Sequence, residues 1–312
     1  MVMFEKNRLF ELAQMGLPNI PAPLVKVYPF LAVIYVLLGP LVTSAIVSIP
    51  LVIFLILFGS TQVDVHAMLG SSVGMTVLML VGFTPIYILI WGWLRLFEHR
   101  PFWTIGMERE GLWRKYLRGA LVGSLMISAA VGLPAIFGYI QVQEAVPGAG
   151  AAITGGVILL LGWVVQGAAE EVLFRGFLLQ ILGSRFGVIV GVLATSILFA
   201  LLHIFNANLG LIAFLNLALF GVFTSFYAMR EGSLWGVFAV HSFWNWVQGN
   251  LFGMEVSGIP VRLEALIDLQ EVGPDWLTGG AFGPEGGIAV TLWLCGGIIV
   301  LWVLEHRNRS IS

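Results

Sequence analysis

The stretch 153–181 reads ITGGVILLLGWVVQGAAEEVLFRGFLLQI, an apolar run interrupted by a few polar side chains that include Glu170, Glu171 and Arg175. A helix that crosses a bilayer needs about 20 predominantly apolar residues, and this run exceeds that length. Seven further apolar runs occupy residues 30–58, 74–94, 119–139, 187–204, 209–228, 234–252 and 288–304. The eight runs together predict an all-α polytopic membrane protein with about eight transmembrane helices.

The composition supports the same fold class. Of the 312 residues, 59% are hydrophobic and only 10% are charged, against about 25% charged in ordinary soluble proteins. This balance excludes disorder, a coiled coil and collagen, and the formal net charge of −2 argues against a nucleic-acid partner. A single cysteine, Cys295, excludes a disulfide within the chain and a cysteine-based metal cluster.

Basic residues are distributed unevenly between the two sides of the predicted bundle. All but two of the 15 Lys and Arg residues precede the first run, lie between the second and third, or follow the fourth, sixth and eighth. The alternate connections hold only Arg262, among acidic residues. Because cytoplasmic loops are enriched in Lys and Arg, we expect both termini in the cytoplasm. The acidic stretch 253–287, interrupted by Gly and Pro, then forms a loop or cap on the outer side.

Charged side chains are costly inside a bilayer, so those that occur there point to a function. The titratable residues that lie away from the ends of the apolar runs are Glu170, Glu171, Arg175, His203 and His241. Residues four apart share one face of a helix, so we predict an ion pair between Glu171 and Arg175. Glu170 then projects in another direction and is left without a partner. The same spacing places His241 and Asn245 side by side.

Glu170, His203, His241 and Asn245 together suit the activation of water. A carboxylate beside an imidazole can act as a general base, and a second imidazole with an amide can donate hydrogen bonds to an oxyanion. Glu170, His203 and His241 could instead bind Zn²⁺, although the chain has no HExxH motif. A proton-coupled transporter would also use buried carboxylates, but the inverted repeats of that class are not found. A non-catalytic membrane scaffold or immunity protein is the remaining alternative.

These residues form three motifs in sequence order, which are Glu170-Glu171-xxx-Arg175, Phe199-xxx-His203 and His241-xxx-Asn245. Over about residues 154–250 the chain resembles the CAAX protease and bacteriocin-processing family (CPBP, or Abi) of intramembrane endopeptidases, which includes the type II CAAX prenyl endopeptidases. The resemblance implies an eight-helix membrane protease whose site opens toward the cytoplasmic side. We expect one integral membrane domain, 1–312, with residues 150–252 as its catalytic core.

The resemblance also implies a role for each site residue. Glu170 and His203 would activate water, His241 and Asn245 would form the oxyanion hole, and Glu171 and Arg175 would support the site. No cofactor is expected, with zinc as the alternative. The expected partners are the lipid bilayer and a peptide or membrane-protein substrate, which could carry a lipid-modified C-terminus, and the expected location is a prokaryotic plasma membrane.

Counting residues along the predicted helices gives an expected depth for each site residue. At about 1.5 Å per residue from the cytoplasmic ends, Glu170, His241 and Asn245 lie roughly 10–20 Å into the membrane. His203 counts deeper, at about 24 Å from Gly187. Either the helix that carries His203 starts later in the sequence than Gly187 or tilts, or His203 is not in the same cluster. Of these we expect a later helix start, which would bring His203 level with the others.

Overall fold

The computed structural model describes residues 7–16, 19–20, 23–58, 70–143, 149–260 and 265–309. Arg262, which entered the topology argument, lies outside these ranges, as does Lys6 in the N-terminal stretch. The α-helices are α1 (Arg8–Gln14), α2 (Tyr28–Phe58), α3 (Ser72–Trp93), α4 (Leu112–Ile136), α5 (Ala149–Glu171), α6 (Leu179–Phe186), α7 (Val188–Leu202), α8 (Leu211–Glu231), α9 (Trp235–Trp246), α10 (Asp275–Thr278) and α11 (Ile288–Arg309).

Three segments of π-helix continue these helices. They are Leu94–Glu98 after α3, Val172–Leu178 between α5 and α6, and Val247–Leu251 after α9. The second directly follows Glu171 and contains Arg175. Short π-helical turns inside α-helices are frequent at functional sites, and here two of the three adjoin motifs singled out from the sequence.

Within the described ranges, five helical stretches are long and apolar enough to cross a membrane. They are Ser72–Glu98, Leu112–Ile136, Ala152–Phe186, Leu211–Glu231 and Ile288–Arg307, and two shorter apolar helices cover Tyr28–Val42 and Val188–Leu202. The prediction of a polytopic, all-α membrane protein is confirmed. The count of eight spans and the cytoplasmic location of the termini stay predictions.

Small residues allow the helices that carry the motifs to approach closely. A Cβ atom on Gly119 of α4 would lie 2.1 Å from the carbonyl oxygen of Gly236, and one on Gly123 would lie 2.3 Å from that of Val240. Helix α5 meets α9 in the same way, because a Cβ on Gly167 would lie 2.9 Å from the hydroxyl of Ser242. Close backbone approach through small residues is typical of membrane helix packing. It brings Glu170, one turn after Gly167, beside α9.

Polar contacts tie the connecting segments together at each end of the bundle. At one end, which we call the basic face (residues 7–16, 94–118, 184–187, 229–235 and 304–309), Arg8 pairs with Glu108 and Arg230 with Glu305. The other end, which we call the cap face, comprises residues 139–143, 203–210, 252–260 and 265–287. There the side chain of Asn206 donates to the carbonyl of Ser257 at 2.8 Å.

The cap face contains a two-stranded β-sheet. Strand β1 (Ile140–Val142) pairs antiparallel with β2 (Leu269–Glu271), with Gln141 opposite Gln270. This pairing fastens residues 265–287 to the end of α4. The bond from Gly258 N to Phe282 O joins them to residues 253–260. These residues therefore form a structured cap, as the sequence predicts, and their inner side contacts the site.

Candidate active site

A cavity of about 420 Å³ lies between α2, α3, α5, α7, α8 and α9, and the cap closes part of its wall. All four residues predicted to act on water, Glu170, His203, His241 and Asn245, line it. Apolar side chains of α2 and α3 form the opposite wall, including Leu37, Met79 and Phe83. An apolar cavity with a few converging polar groups is the usual form of a binding or catalytic site.

Glu171 and Arg175 form the predicted ion pair. Their side chains are fully buried, and Nη1 of Arg175 lies 3.1 Å from Oε1 of Glu171. The same oxygen lies 2.9 Å from Nδ1 of His241. A carboxylate oxygen only accepts hydrogen bonds, so Nδ1 of His241 carries a proton and donates it. The pair thus fixes the orientation of the imidazole and leaves Nε2 free to face the cavity.

Glu170 has a partner that the sequence argument missed. The amide of Gln166, one helical turn earlier, donates from Nε2 to Oε1 of Glu170 at 2.7 Å. The prediction that Glu170 has no partner was therefore wrong for Oε1. Gln166 lies four residues before Glu170 and shares its helical face, whereas the prediction considered only Arg175, which lies four residues after Glu171. The other oxygen, Oε2, is buried with no hydrogen-bond partner among the described residues, and it lies 3.8 Å from Nε2 of His241.

Gln166 also connects Glu170 to Asn245. The Nδ2 group of Asn245 donates to Oε1 of Gln166 at 3.0 Å, so one glutamine amide bridges two residues on different helices. The signal for Gln166 was present in the sequence, since it lies four residues before Glu170 and shares its face. Gln166 is neutral, so it is not among the ionisable residues on which the sequence prediction was based.

His203 lies directly after the last residue of α7, and its Nδ1 donates to the carbonyl oxygen of Phe199 at 2.8 Å. This bond explains the spacing of the Phe199-xxx-His203 motif and leaves Nε2 as an acceptor. The Phe199 ring lies 4.8 Å from the His203 ring and 4.8 Å from the guanidinium carbon of Arg175. Phe199 therefore packs between the ion pair and the imidazole, with a cation–π contact to Arg175.

The expected late start of the helix carrying His203 was wrong. Helix α7 begins at Val188, immediately after Gly187, so His203 is as far from the basic face as counting indicates. It nonetheless joins the other site residues, because the cavity extends to the cap face. Its wall includes Asn206, Ser257 and Glu285 of the cap face and no residue of the basic face. Counting residues had suggested that the site residues lie in one layer near the basic face. They instead line a cavity that extends to the cap face.

Glu285 is a further carboxylate in the cavity wall, and the sequence argument missed it by treating it as a solvated loop residue. It is 8% exposed. Its Oε2 accepts hydrogen bonds from the backbone N–H and the hydroxyl of Ser257, at 2.6 and 2.8 Å, and from Gln248 at 3.3 Å. Burial raises the pKa of Glu285, while these donors and the nearby His203 act in the opposite direction. No motif or periodicity marks this residue, because only the folding of the cap buries it.

The zinc alternative requires Glu170, His203 and His241 to converge on one point. Among the described residues, no three His, Cys, Asp or Glu side chains are grouped so that they could hold a metal ion. The Nδ1 atoms of both histidines donate to Phe199 O and Glu171, so only their Nε2 atoms are available as ligands. The arrangement does not fit a three-ligand zinc site.

Residues 152–247 match the family model described as type II CAAX prenyl endopeptidase Rce1-like. The matched segment covers about a third of the chain and contains all three motifs, so the predicted resemblance is confirmed over these residues. No curated protein and no solved structure matches the chain. Glu285 and the cap lie beyond the matched segment.

Proposed function

We propose that the chain is an intramembrane endopeptidase that uses a Glu/His-activated water molecule to hydrolyse a peptide bond of a polypeptide bound in the cavity. The family match supports a CAAX-type peptidase, and the cavity with its four converging polar residues supports hydrolysis. The observation that carries the proposal is Oε2 of Glu170, buried in the cavity without a hydrogen-bond partner among the described residues. A buried carboxylate oxygen left in this state is costly, and a water molecule bound there would satisfy it.

The proposed reaction begins with proton transfer from this water to Glu170 as general base. His203 orients the water. Its Nδ1–H group donates a hydrogen bond to the carbonyl oxygen of Phe199, so Nε2 can accept a hydrogen bond from the water. The hydroxide adds to the carbonyl carbon of the scissile bond. The proton held by Glu170 then passes to the departing amine as the carbon–nitrogen bond breaks, which restores the carboxylate.

The negative charge that develops on the carbonyl oxygen needs fixed donors. The amide group of Asn245 has two protons, and only one of them is hydrogen-bonded to Gln166. The second can donate to the carbonyl oxygen. His241 can donate from Nε2 when its ring carries both protons, since Nδ1 already donates to Glu171.

The test is cleavage of a broad peptide library by the purified protein in liposomes, comparing wild type with Glu170→Gln. Glu231→Gln is a matched control, because Glu231 is also a largely buried helical carboxylate but pairs with Arg118 at the basic face. The proposal expects cleavage by wild type and by the control and none by Glu170→Gln. Absence of cleavage by well-folded wild type across the library would favour the scaffold or immunity alternative.

A further inference from the structure

The position of the cavity along the bundle conflicts with one of two expectations drawn from the sequence. The distribution of Lys and Arg places the basic face in the cytoplasm, and the family resemblance places the site opening on the cytoplasmic side. In the structure the cavity reaches the cap face, through Asn206, Ser257 and Glu285, and no residue of the basic face lines it. The two expectations cannot both hold for this chain.

Two of the helices that line the cavity show that it extends toward the cap face. Helix α7 runs from Val188 at the basic face to Leu202, and its cavity residues are Phe199, Leu202 and, immediately after it, His203. Helix α8 runs the opposite way, and its cavity residues, Leu217 and Phe220, lie in its first half, nearest the cap face. His241 of α9 and Glu170 of α5 line the cavity nearer the middle of the bundle. The cavity therefore extends from the middle of the bundle to the cap face.

The charges of the two faces then decide which expectation holds. Apart from Arg175 inside α5, the Lys and Arg residues of the described ranges belong to the basic face or to the N-terminal segment before α2. The described cap face carries acidic residues and no Lys or Arg, for example Glu255, Asp268 and Asp275. Such a difference orients a membrane protein with its basic side in the cytoplasm.

We infer that the catalytic cavity opens toward the outer side of the membrane. Given the proposed peptidase function, on which this step rests, the substrate is then a polypeptide whose scissile bond lies outside the cytoplasmic half of the bilayer. Exported peptides and the outer segments of membrane-anchored proteins have that location. A protein with a C-terminus lipidated in the cytoplasm presents its cleavage site at the opposite face.

Cysteine labelling tests the orientation without requiring activity. Cys295 is the only cysteine in the chain, so Cys295→Ser gives a background without thiols. Gln270→Cys places one thiol at an exposed position of β2 on the cap face, and Glu110→Cys places one at an exposed position on the basic face. Both variants are treated with a membrane-impermeant maleimide in right-side-out and in inside-out vesicles.

The inference expects Gln270→Cys to react in right-side-out vesicles and Glu110→Cys to react in inside-out vesicles only. The reverse pattern overturns it, since the cavity would then open to the cytoplasm. In oriented proteoliposomes, a library peptide is expected to be cleaved faster from the side on which Gln270→Cys is labelled. If the labelling is as expected but the peptide is cleaved from neither side, the result counts against the proposed function. The orientation of the protein is then still established by the labelling.

Discussion

Oε1 of Glu171 lies 2.9 Å from Nδ1 of His241 and 3.1 Å from Nη1 of Arg175. One buried carboxylate oxygen therefore holds an arginine of its own helix and a histidine of another helix. This contact sets the tautomer of His241 and directs Nε2 toward Glu170, which lies 3.8 Å away. The adjacent glutamates thus have different tasks, one structural and the other facing the cavity.

The ion pair predicts a loss of stability when Arg175 is removed. In Arg175→Ala, Glu171 loses its charged partner in a fully buried position, and breaking comparable buried pairs costs about 3–5 kcal/mol. We expect a lower melting temperature in detergent together with a lower activity. Arg8→Ala is the comparison, because Arg8 is half exposed and its partner Glu108 is partly exposed, and exposed pairs contribute about 0–1 kcal/mol. An Arg175→Ala variant that melts like wild type would contradict the structural role of the pair.

Gln166 predicts an effect on turnover that is separate from binding. In Gln166→Leu the bridge between Glu170 and Asn245 is lost, and misplaced catalytic groups can lower rates by up to about a hundredfold. We expect a lower kcat with little change in KM. Gln180→Leu is the matched control, since Gln180 is a buried glutamine farther along α6 that contacts Arg100. Gln180→Leu should lower the thermal stability and leave the kcat of the folded protein unchanged. If Gln166→Leu changes only KM, the positioning role of Gln166 is refuted.

Glu285 predicts a pH-dependent contribution to stability. Burial raises the pKa of this carboxyl in the folded protein above its ordinary value of 4.5. A carboxyl with a raised folded-state pKa stabilises the fold fully below its unfolded pKa, and that contribution is lost as pH rises through the folded pKa. The melting temperature of wild type should therefore fall relative to that of Glu285→Gln as pH rises from 4 toward 8. A relative increase would show that the Ser257 and Gln248 donors outweigh burial.

The choice between direct water activation and zinc predicts the metal content of the purified protein. Because the described side chains are not grouped for three-ligand metal binding, we expect no stoichiometric metal. We also expect activity to survive prolonged treatment with a membrane-permeant chelator. Elemental analysis decides the matter. One tightly bound zinc ion per chain in wild type, lost together with activity in His203→Ala, would instead support the zinc-dependent mechanism.

Helical periodicity and polarity predicted the parts of the site that depend on one helix. The Glu171–Arg175 pair follows from a spacing of four residues. The four residues singled out from the motifs, Glu170, His203, His241 and Asn245, line one cavity, and their catalytic roles stay predictions. These relationships are local, or recur in the family, so they are visible in one sequence.

Relationships between distant segments could not be predicted in this way. Glu285 lies 28 residues from Ser257, and their contact depends on the path of the cap between them. The cap also determines which end of the bundle the cavity reaches. Counting residues from the basic end of each helix gave the depth of each site residue in the membrane. It gave no information about the cap that covers the other end of the bundle. The position of His203 was consequently explained by a shifted helix start that α7 does not have.

The central claim is that Glu170 is the general base, and Glu170→Gln tests it most directly. Glutamine keeps the size of the side chain and can still contact Gln166, so the fold should be retained, as judged by an unchanged elution profile and melting temperature. Loss of a general base lowers rates by about 10²–10⁴-fold. The account predicts that purified, folded Glu170→Gln shows at least about a hundredfold loss of peptide cleavage while Glu231→Gln stays active. Cleavage by Glu170→Gln at close to the wild-type rate would contradict it.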